Sequence, residues 1–566
     1  MYLDILVKVP EIKGRITRQC INGTTYINYE YDRIYDKERK FNIPRRTTIG
    51  KLAENGLMFP NENFRKYLPQ EKLSEAKSCA ERSSCLRVGT WFIIRKILED
   101  FRMPELLGYF FICRDLGLFL DLVAYTLVSE NNAGQYYPDY AYNHPLFTDG
   151  MRLYSDSKVS DFLNSMTDDQ SIGFLKSWNG SRRRGDRIYI SYDSTNKNCQ
   201  AGDIGIVEFG KAKDDLRLPV FNYSIAYDCD NRTPLFYEEY PGSIVDVSPL
   251  QFMLERAKGY GYEKVGFILD RGYFSKANIQ YMDECGYDFV IMVKGMARLV
   301  DALVLANRGT FETSRECAIR EYKVYGKTVQ GRLYAEDTKD RYFHIYHSTG
   351  RQHSEREEFE TQMDRFNKYL KRNEGRQISG TDALEAYFNL FFDDRKKVFL
   401  FAKEKVEVIE RVLTLCGYFV IVTSEEMTAR EALLLYKSRD DSEKLFRGDK
   451  SYLGNKSLRV HSGESASAKI FIEFVALIVR NKLYTYLKSA MLKDERKYNY
   501  MTVPAAIREL EKIEMIRHTD NIYRLDHAVT ATQKAILSAF GLDKDFVMEC
   551  VEKLSEQLRL LEKEGN

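Results

Sequence analysis

The chain reads as an α/β protein. It has a mixed sheet flanked by helices, a β-containing inserted domain, β and helical regions ahead of the sheet and a helical tail behind it. Three observations carry this reading. Between Arg187 and Val293 the apolar runs and their breaks follow the order strand, strand, strand, helix, strand, helix, strand. Two of those strands, RIYISYD and VGFILD, end in a carboxylate, Asp193 and Asp270. Further on, the strand-like run Tyr418 to Val422 leads through Thr428 and Glu431, a capping box, into a helix that carries Glu443.

Composition narrows the class. At 566 residues and 44% hydrophobic, the chain is long enough for several packed domains. Lys and Arg number 85 against 83 Asp and Glu, which excludes a uniformly basic nucleic-acid binder; a nucleic-acid surface has to come from local segregation of charge. The ten cysteines are scattered, and the closest pair, Cys79 and Cys85, has no ligand-type neighbours, so reduced thiols are expected and zinc spacing is absent. The opening MYLDILVKVPEIKG alternates like a strand, unlike a secretory leader. Leu106 to Val128 is broken by Arg114, Asp115 and Asp121, and Phe471 to Val479 is too short to span a bilayer. A soluble cytoplasmic protein is expected.

The elements follow in order. Residues 1–56 alternate aromatic or β-branched residues with charges and predict a small β-rich unit. Residues 57–180 turn helical, with WFIIRKILEDF and LGLFLDLVAYTLV, and Trp91 reads as core. The first part of the sheet domain occupies 181–295. It opens with the basic cluster Arg182 to Arg184, continues through RIYISYD, VFNYSIAYD and TPLFYEEYPGS, then a helix from Ser248 to about Lys258, the Asp270 strand, a helix stopping at Gly286, and YDFVIMV.

Residues 296–416 are too many for a loop and predict an inserted domain. It has a strand pair, VYGKTVQGRLYAED with RYFHIYHS, and a helix capped by Ser354 and Glu357. His344, His347 and His353 cluster there, but without Cys or carboxylate at ligand spacing they make a poor zinc site. The second part of the sheet domain, 417–492, ends in a long helix preceded by Arg459 and His461, both placed to reach phosphate, though such residues are more often simply surface. Residues 493–566 form a helical tail.

The chemistry concentrates on YKSRDDSEKLFRGDK. At about 100° per residue, Tyr436, Arg439, Glu443 and Lys450 share a stripe roughly 60° wide. A capped surface helix with a charged wet face fits that spacing too. A lone Asp at a strand end is usually a turn or capping residue. Two of them with a third carboxylate downstream form a set suited to a pair of divalent ions, and all-oxygen donors favour magnesium. Arg439 then offers a fork to phosphate, Lys450 a point charge and Tyr436 a hydroxyl.

With these residues in view, the chain resembles the DDE transposases of bacterial insertion sequences, in the group with the signature Y-x2-R-x3-E-x6-K. The signature is complete as Tyr436, Arg439, Glu443 and Lys450; YISYDST and ILDRGYFS supply the two Asp contexts, and the likeness covers roughly residues 185 to 485. The resemblance implies a ribonuclease H-like core that cuts at the ends of a mobile element and joins the 3′-hydroxyls to target DNA. It makes Asp193, Asp270 and Glu443 catalytic metal ligands for two Mg2+ ions, with Mn2+ as a substitute, and Tyr436, Arg439 and Lys450 contacts to terminal DNA. Arg271 and His461 join that DNA-contacting set. The implied partners are double-stranded DNA, as terminal inverted repeats and target, and further copies of the chain in a homodimer or higher multimer, without membrane; the implied setting is bacterial cytoplasm, on the nucleoid when DNA is bound. A transposase-derived DNA-binding protein without catalysis and a stand-alone nuclease on the same fold are the alternatives. Gly448 sets Lys450 past a potential kink. Trp91 and Trp178 both lie outside the inserted domain, which weighs against excision through a DNA hairpin.

Overall fold

The computed structural model describes all residues except 1, 3–5, 22, 37–39, 54–55, 69–81, 182–186, 200–203, 211–216, 245–248, 263, 295, 394, 396, 441–443, 445–452, 454–456, 461, 494–497, 519–521 and 565–566. The chain forms two compact units, each assembled from separated segments: 1–96 with 136–155 and 490–566, and 97–135 with 156–489.

In the first unit, β1 (Val7–Lys8), β2 (Ile16–Ile21), β3 (Thr24–Asp36), β4 (Phe41–Leu52) and β5 (Leu57–Pro60) make one antiparallel sheet in the order β1-β5-β4-β3-β2. Its core is Val7, Ile27, Ile49 and Met58, inward members of the alternating pattern, joined by Phe64 from helix Glu62–Tyr67. A short strand, β6 (Cys85–Arg87), finds its partner at the far end of the chain, as described below. Trp91 is buried and stacks on Phe147.

The second unit is organised by one mixed sheet. Its strands are β7 (Ile188–Cys199), β8 (Val220–Asp228), β9 (Thr233–Pro241), β10 (Val265–Leu269), β11 (Asp288–Met292), β12 (Ala318–Ile319), β13 (Val324–Gly331) and β14 (Arg341–His347). The hairpin of β15 (Phe388–Phe392) and β16 (Phe399–Glu404) stands apart, whereas β17 (Tyr418–Thr423) and β18 (Ser457–Leu458) return to the sheet. The order is β12-β13-β14-β17-β11-β10-β7-β8-β9, with β18 beside the end of β7. Pairing is parallel between β7 and β10 and between β10 and β11, and antiparallel from β7 through β8 to β9 and from β11 through β17 to β14. Two further strands, β19 (Glu514–Arg517) and β20 (Tyr523–Leu525), complete a three-stranded sheet with β6 in the first unit.

Segment 296–416 therefore has two parts. Strands β12 to β14 extend the central sheet beyond β17. Helix Thr349–Arg372, the β15–β16 hairpin and helix Val406–Leu415 gather around a separate apolar cluster that includes Phe359, Met363, Phe388 and Phe399. The long helix starts at Ser348, whose side chain accepts from the Arg351 N–H, six residues ahead of the expected Ser354 cap. Ser354 instead lies inside the helix and donates to the Gly350 carbonyl at 3.2 Å. Helix Lys276–Cys285 stops as expected at Gly286, which takes φ +71°, a conformation that costs glycine little.

Two helices cover the face of the sheet that matters for the site. Helix Ala429–Ser438 opens with the Thr428–Glu431 capping box and buries Ala429, Leu433 and Tyr436 against Ile268, Val290, Tyr346 and Ile421. The 31-residue helix Gly463–Lys493 is buried along most of its length, from Ser465 to Val479 with few breaks. Among the described residues no helix is long and apolar enough to cross a membrane.

Candidate active site

Asp193 and Asp270 reach the site on neighbouring parallel strands. The β7–β10 register runs from Ile188 opposite Val265 to Tyr192 opposite Leu269, so one step further on each strand lie Asp193 and Asp270. Parallel neighbours stand about 4.8 Å apart, and residues at one level project to the same face. That face is fixed by alternation: Tyr189 and Ile268, an even number of residues earlier on their strands, pack against the cluster beneath helix Ala429–Ser438. Both carboxylates therefore face that helix.

The strand carrying Asp193 does not end there. β7 continues to Cys199, paired with β8 from Asp193 opposite Ile225 to Asn198 opposite Val220. What ends at Tyr192 is the pairing with β10, and the parallel partner β18 joins only at Asn198 and Cys199. Asp193 thus stands at the rim of a notch in the sheet, between the end of one neighbour and the start of the next. The root of β7 is pinned by charge: Arg187 pairs with both Asp288 and Glu425, and the Tyr189 hydroxyl donates to Glu425 at 3.1 Å.

Each carboxylate is oriented by the backbone that follows it. The Ser194 N–H donates to Asp193 Oδ1 at 2.9 Å, and the Arg271 N–H to Asp270 Oδ1 at 2.8 Å. A single 3₁₀ turn, Arg271–Tyr273, follows Asp270, and its Tyr273 ring packs on Tyr192 with centroids 5.4 Å apart. Just past helix Ala429–Ser438, Arg439 places Nη1 2.9 Å from Asp270 Oδ1. The guanidinium sits 5.4 Å from the Tyr436 ring centroid, and the Arg439 side chain is only 12% exposed.

The residues singled out in the sequence thus divide into three groups. Asp193, Asp270 and Arg439 come together. Tyr436, expected to offer its hydroxyl to DNA, is a core side chain here, 6% exposed, on which Arg439 rests. Arg271 braces Asp270 through its backbone and leaves its side chain in solvent. Glu443, Lys450 and His461 lie outside the described residues, as does Gly448. Arg459 is exposed, and its carbonyl accepts from Lys469 Nζ at 2.6 Å.

The family model for the transposase DDE domain matches residues 193–479, just over half of the chain, and its match begins at Asp193 itself. The chain belongs to this transposase family. Among solved structures, one chain of a "Cryo-EM structure of piggyBac transposase synaptic complex with hairpin DNA (SNHP)" is similar at 8% identity with a TM-score of 0.33. That match spans 64% of this chain and 59% of the other. Comparison with the curated proteins finds no match.

The chain offers hard oxygen donors at this place. Asp270 has Oδ1 engaged by two donors, while its Oδ2 takes no hydrogen bond among the described residues. Two carboxylates a strand spacing apart, with all-oxygen chemistry, fit a magnesium-type ion better than zinc. No group of three His, Cys, Asp or Glu among the described residues is arranged to hold a metal. His344, part of the histidine cluster in the sequence, is fully buried between the hydroxyls of Thr328 at 2.9 Å and Thr423 at 3.0 Å. Burial pushes its pKa down to about 4, so it stays neutral and tied to the sheet.

Sequence reasoning passed over a second charged group on the same face of β7. Lys197 is four residues beyond Asp193, and its Nζ donates to Glu473 Oε2 at 2.7 Å with both side chains buried. Asn132 donates to Glu473 Oε1 at 3.3 Å, and Lys197 lies 4.5 Å from the Tyr223 ring centroid. The signal was available: Glu473 is a lone charge inside the apolar run KIFIEFVALIV.

Proposed function

We propose that this chain is the transposase of a bacterial insertion sequence, cutting DNA at the element's ends and transferring the 3′-hydroxyls to target DNA. The observation that carries the reading is the level pairing of Asp193 and Asp270 on adjacent parallel strands, at the start of the family match. The strand order β9-β8-β7-β10-β11 with helices on its face supports a ribonuclease H-like core in two parts, 181–295 and 417–492, with 296–416 as the insertion. Asp193, Asp270 and Glu443 are assigned as the metal ligands, with Mg2+ favoured and Mn2+ a substitute. Two such ions, when bound, activate the attacking water or 3′-hydroxyl and stabilise the leaving oxygen.

The chain's own residues hold and orient. Asp193 is fixed on its far side by the β7–β8 ladder, and Asp270 by the turn that follows it. Arg439 and Lys450 grip terminal phosphates, and such contacts position DNA without reading its sequence. The working form is a dimer or higher multimer on paired DNA ends in the bacterial cytoplasm, with the first unit and 57–180 as the region that engages those ends.

The test uses purified protein, Mg2+ and a plasmid carrying the coding region with its natural flanks. Cleavage and joined products are expected from the wild type and neither from Asp193→Asn, Asp270→Asn or Glu443→Gln. Full activity of Glu443→Gln would remove the third ligand from the reading. Cleavage without joined products would replace transposase by nuclease.

A further inference from the structure

We infer that Arg439 is a positioning residue that occupies Asp270 in the DNA-free protein and gives it up when DNA phosphate arrives. The inference rests on the proposed metal site. Two carboxylates a strand spacing apart and facing the same way repel one another unless a cation stands beside them. The Arg439 guanidinium, 2.9 Å from Asp270 Oδ1, backed by the Tyr436 ring and largely withdrawn from solvent, is such a cation.

The same position obstructs a divalent ion. An ion bound at Asp270 stands within a few ångströms of the guanidinium charge, and in a partly buried site that repulsion is poorly screened. Arg439 follows directly on helix Ala429–Ser438, whose capping box and buried Ala429, Leu433 and Tyr436 hold it to the sheet, so the arginine can leave Asp270 by rotating its side chain without moving the helix. A DNA phosphate is the partner that recovers the lost ion pair, because like a carboxylate it accepts charge-assisted hydrogen bonds from a guanidinium. DNA and metal then bind cooperatively: phosphate draws Arg439 off Asp270, the ion takes its place, and by linkage the ion raises affinity for DNA. The protein would hold metal loosely until its substrate is in place.

Calorimetric titration of the full-length protein with Mn2+ alone, without DNA, tests this. Arg439→Gln is expected to bind Mn2+ about tenfold or more tightly than wild type, within the roughly 5- to 150-fold range of ordinary site coupling. Arg439→Lys, which keeps the charge on a mobile stem, is expected to stay near wild type and serves as the arm that preserves the packing. Equal or weaker binding by Arg439→Gln, with a melting temperature near wild type, would overturn the inference. So would a gain in Arg439→Lys as large as that in Arg439→Gln, since charge would then not be the cause. If wild type, Arg439→Gln and Arg439→Lys bind no Mn2+ and match Asp270→Asn, the metal-site reading itself fails and the inference falls with it.

Discussion

Replacing Lys197 by Met severs a buried ion pair four residues from Asp193. The two groups meet at 2.7 Å with side-chain exposures of 0% and 2%, so solvent screens them little. Truncation leaves the buried Glu473 carboxylate without its lysine, while the Asn132 amide still donates to it at 3.3 Å. Breaking such a pair from one side costs about 3–5 kcal/mol, because the abandoned charge keeps its desolvation penalty. Loss of the cation from the Tyr223 ring, 4.5 Å away, lies within that range. Replacing both partners, Lys197→Met with Glu473→Leu, removes both penalties and should return stability to within about 1 kcal/mol of wild type or above it. The assay is urea unfolding followed by fluorescence in a Trp91→Phe background. Trp178, 1% exposed with its indole N–H donating to the Pro234 carbonyl, then reports on the unit that contains the pair. A cost under about 1 kcal/mol for Lys197→Met, or a double variant as unstable as the sum of the singles, would refute the reasoning.

Two further predictions concern the sheet and the helix that faces it. His344 has its pKa lowered from 6.5 to about 4 by burial, so the unfolded chain takes up its proton first as pH falls. Stability is full above pH 6.5 and declines between 6.5 and 4 by up to about 3 kcal/mol, a slope that His344→Asn should lack when paired unfolding curves are compared across that window. Thr428→Ala removes the hydroxyl that accepts from the Glu431 N–H at 3.2 Å and donates to Glu431 Oε2 at 2.8 Å. It should cost about 1 kcal/mol, read as a lower midpoint in the same urea assay, with an equal midpoint counting against the cap.

What could be read from the sequence was whatever repeats at short range. Tyr418 to Val422 is the strand it looks like, and Thr428 with Glu431 is the capping box that starts the next helix. The extent of β7 was not legible. STNKNC is polar, and periodicity sees a strand through its apolar residues, yet here Ser194 to Asn198 are buried by neighbours the sequence does not announce. The cap of helix Thr349–Arg372 was misplaced for a related reason: Ser354 and Glu357 match the box pattern, whereas the true cap, Ser348, is followed by Gly350, a residue that argues against a helical first turn. Pairing of Leu86 with Met515 joins strands of three and four residues from opposite ends of the chain, with no local signature.

The register also explains why Asp193 and Asp270 stand together at one edge of the sheet. Only strands running parallel to β7 bring their carboxyl ends to the edge where Asp193 stands, the usual place for a site in an α/β sheet. β8 and β17 run the other way, whereas β9, antiparallel to β8, runs with β7 but lies two strands away from it. β11 is parallel to β10, but it brings Met292 and not a carboxylate to the level of Asp270. β18 is parallel too, but it joins β7 beyond the notch. On the proposed reading the third acidic ligand comes from the helices on the face. Helix Ala429–Ser438 is the one whose end already touches Asp270, through Arg439. Glu443, the proposed third ligand, follows Arg439 by four residues in the sequence. The proposal of Glu443 as that ligand therefore rests on the motif.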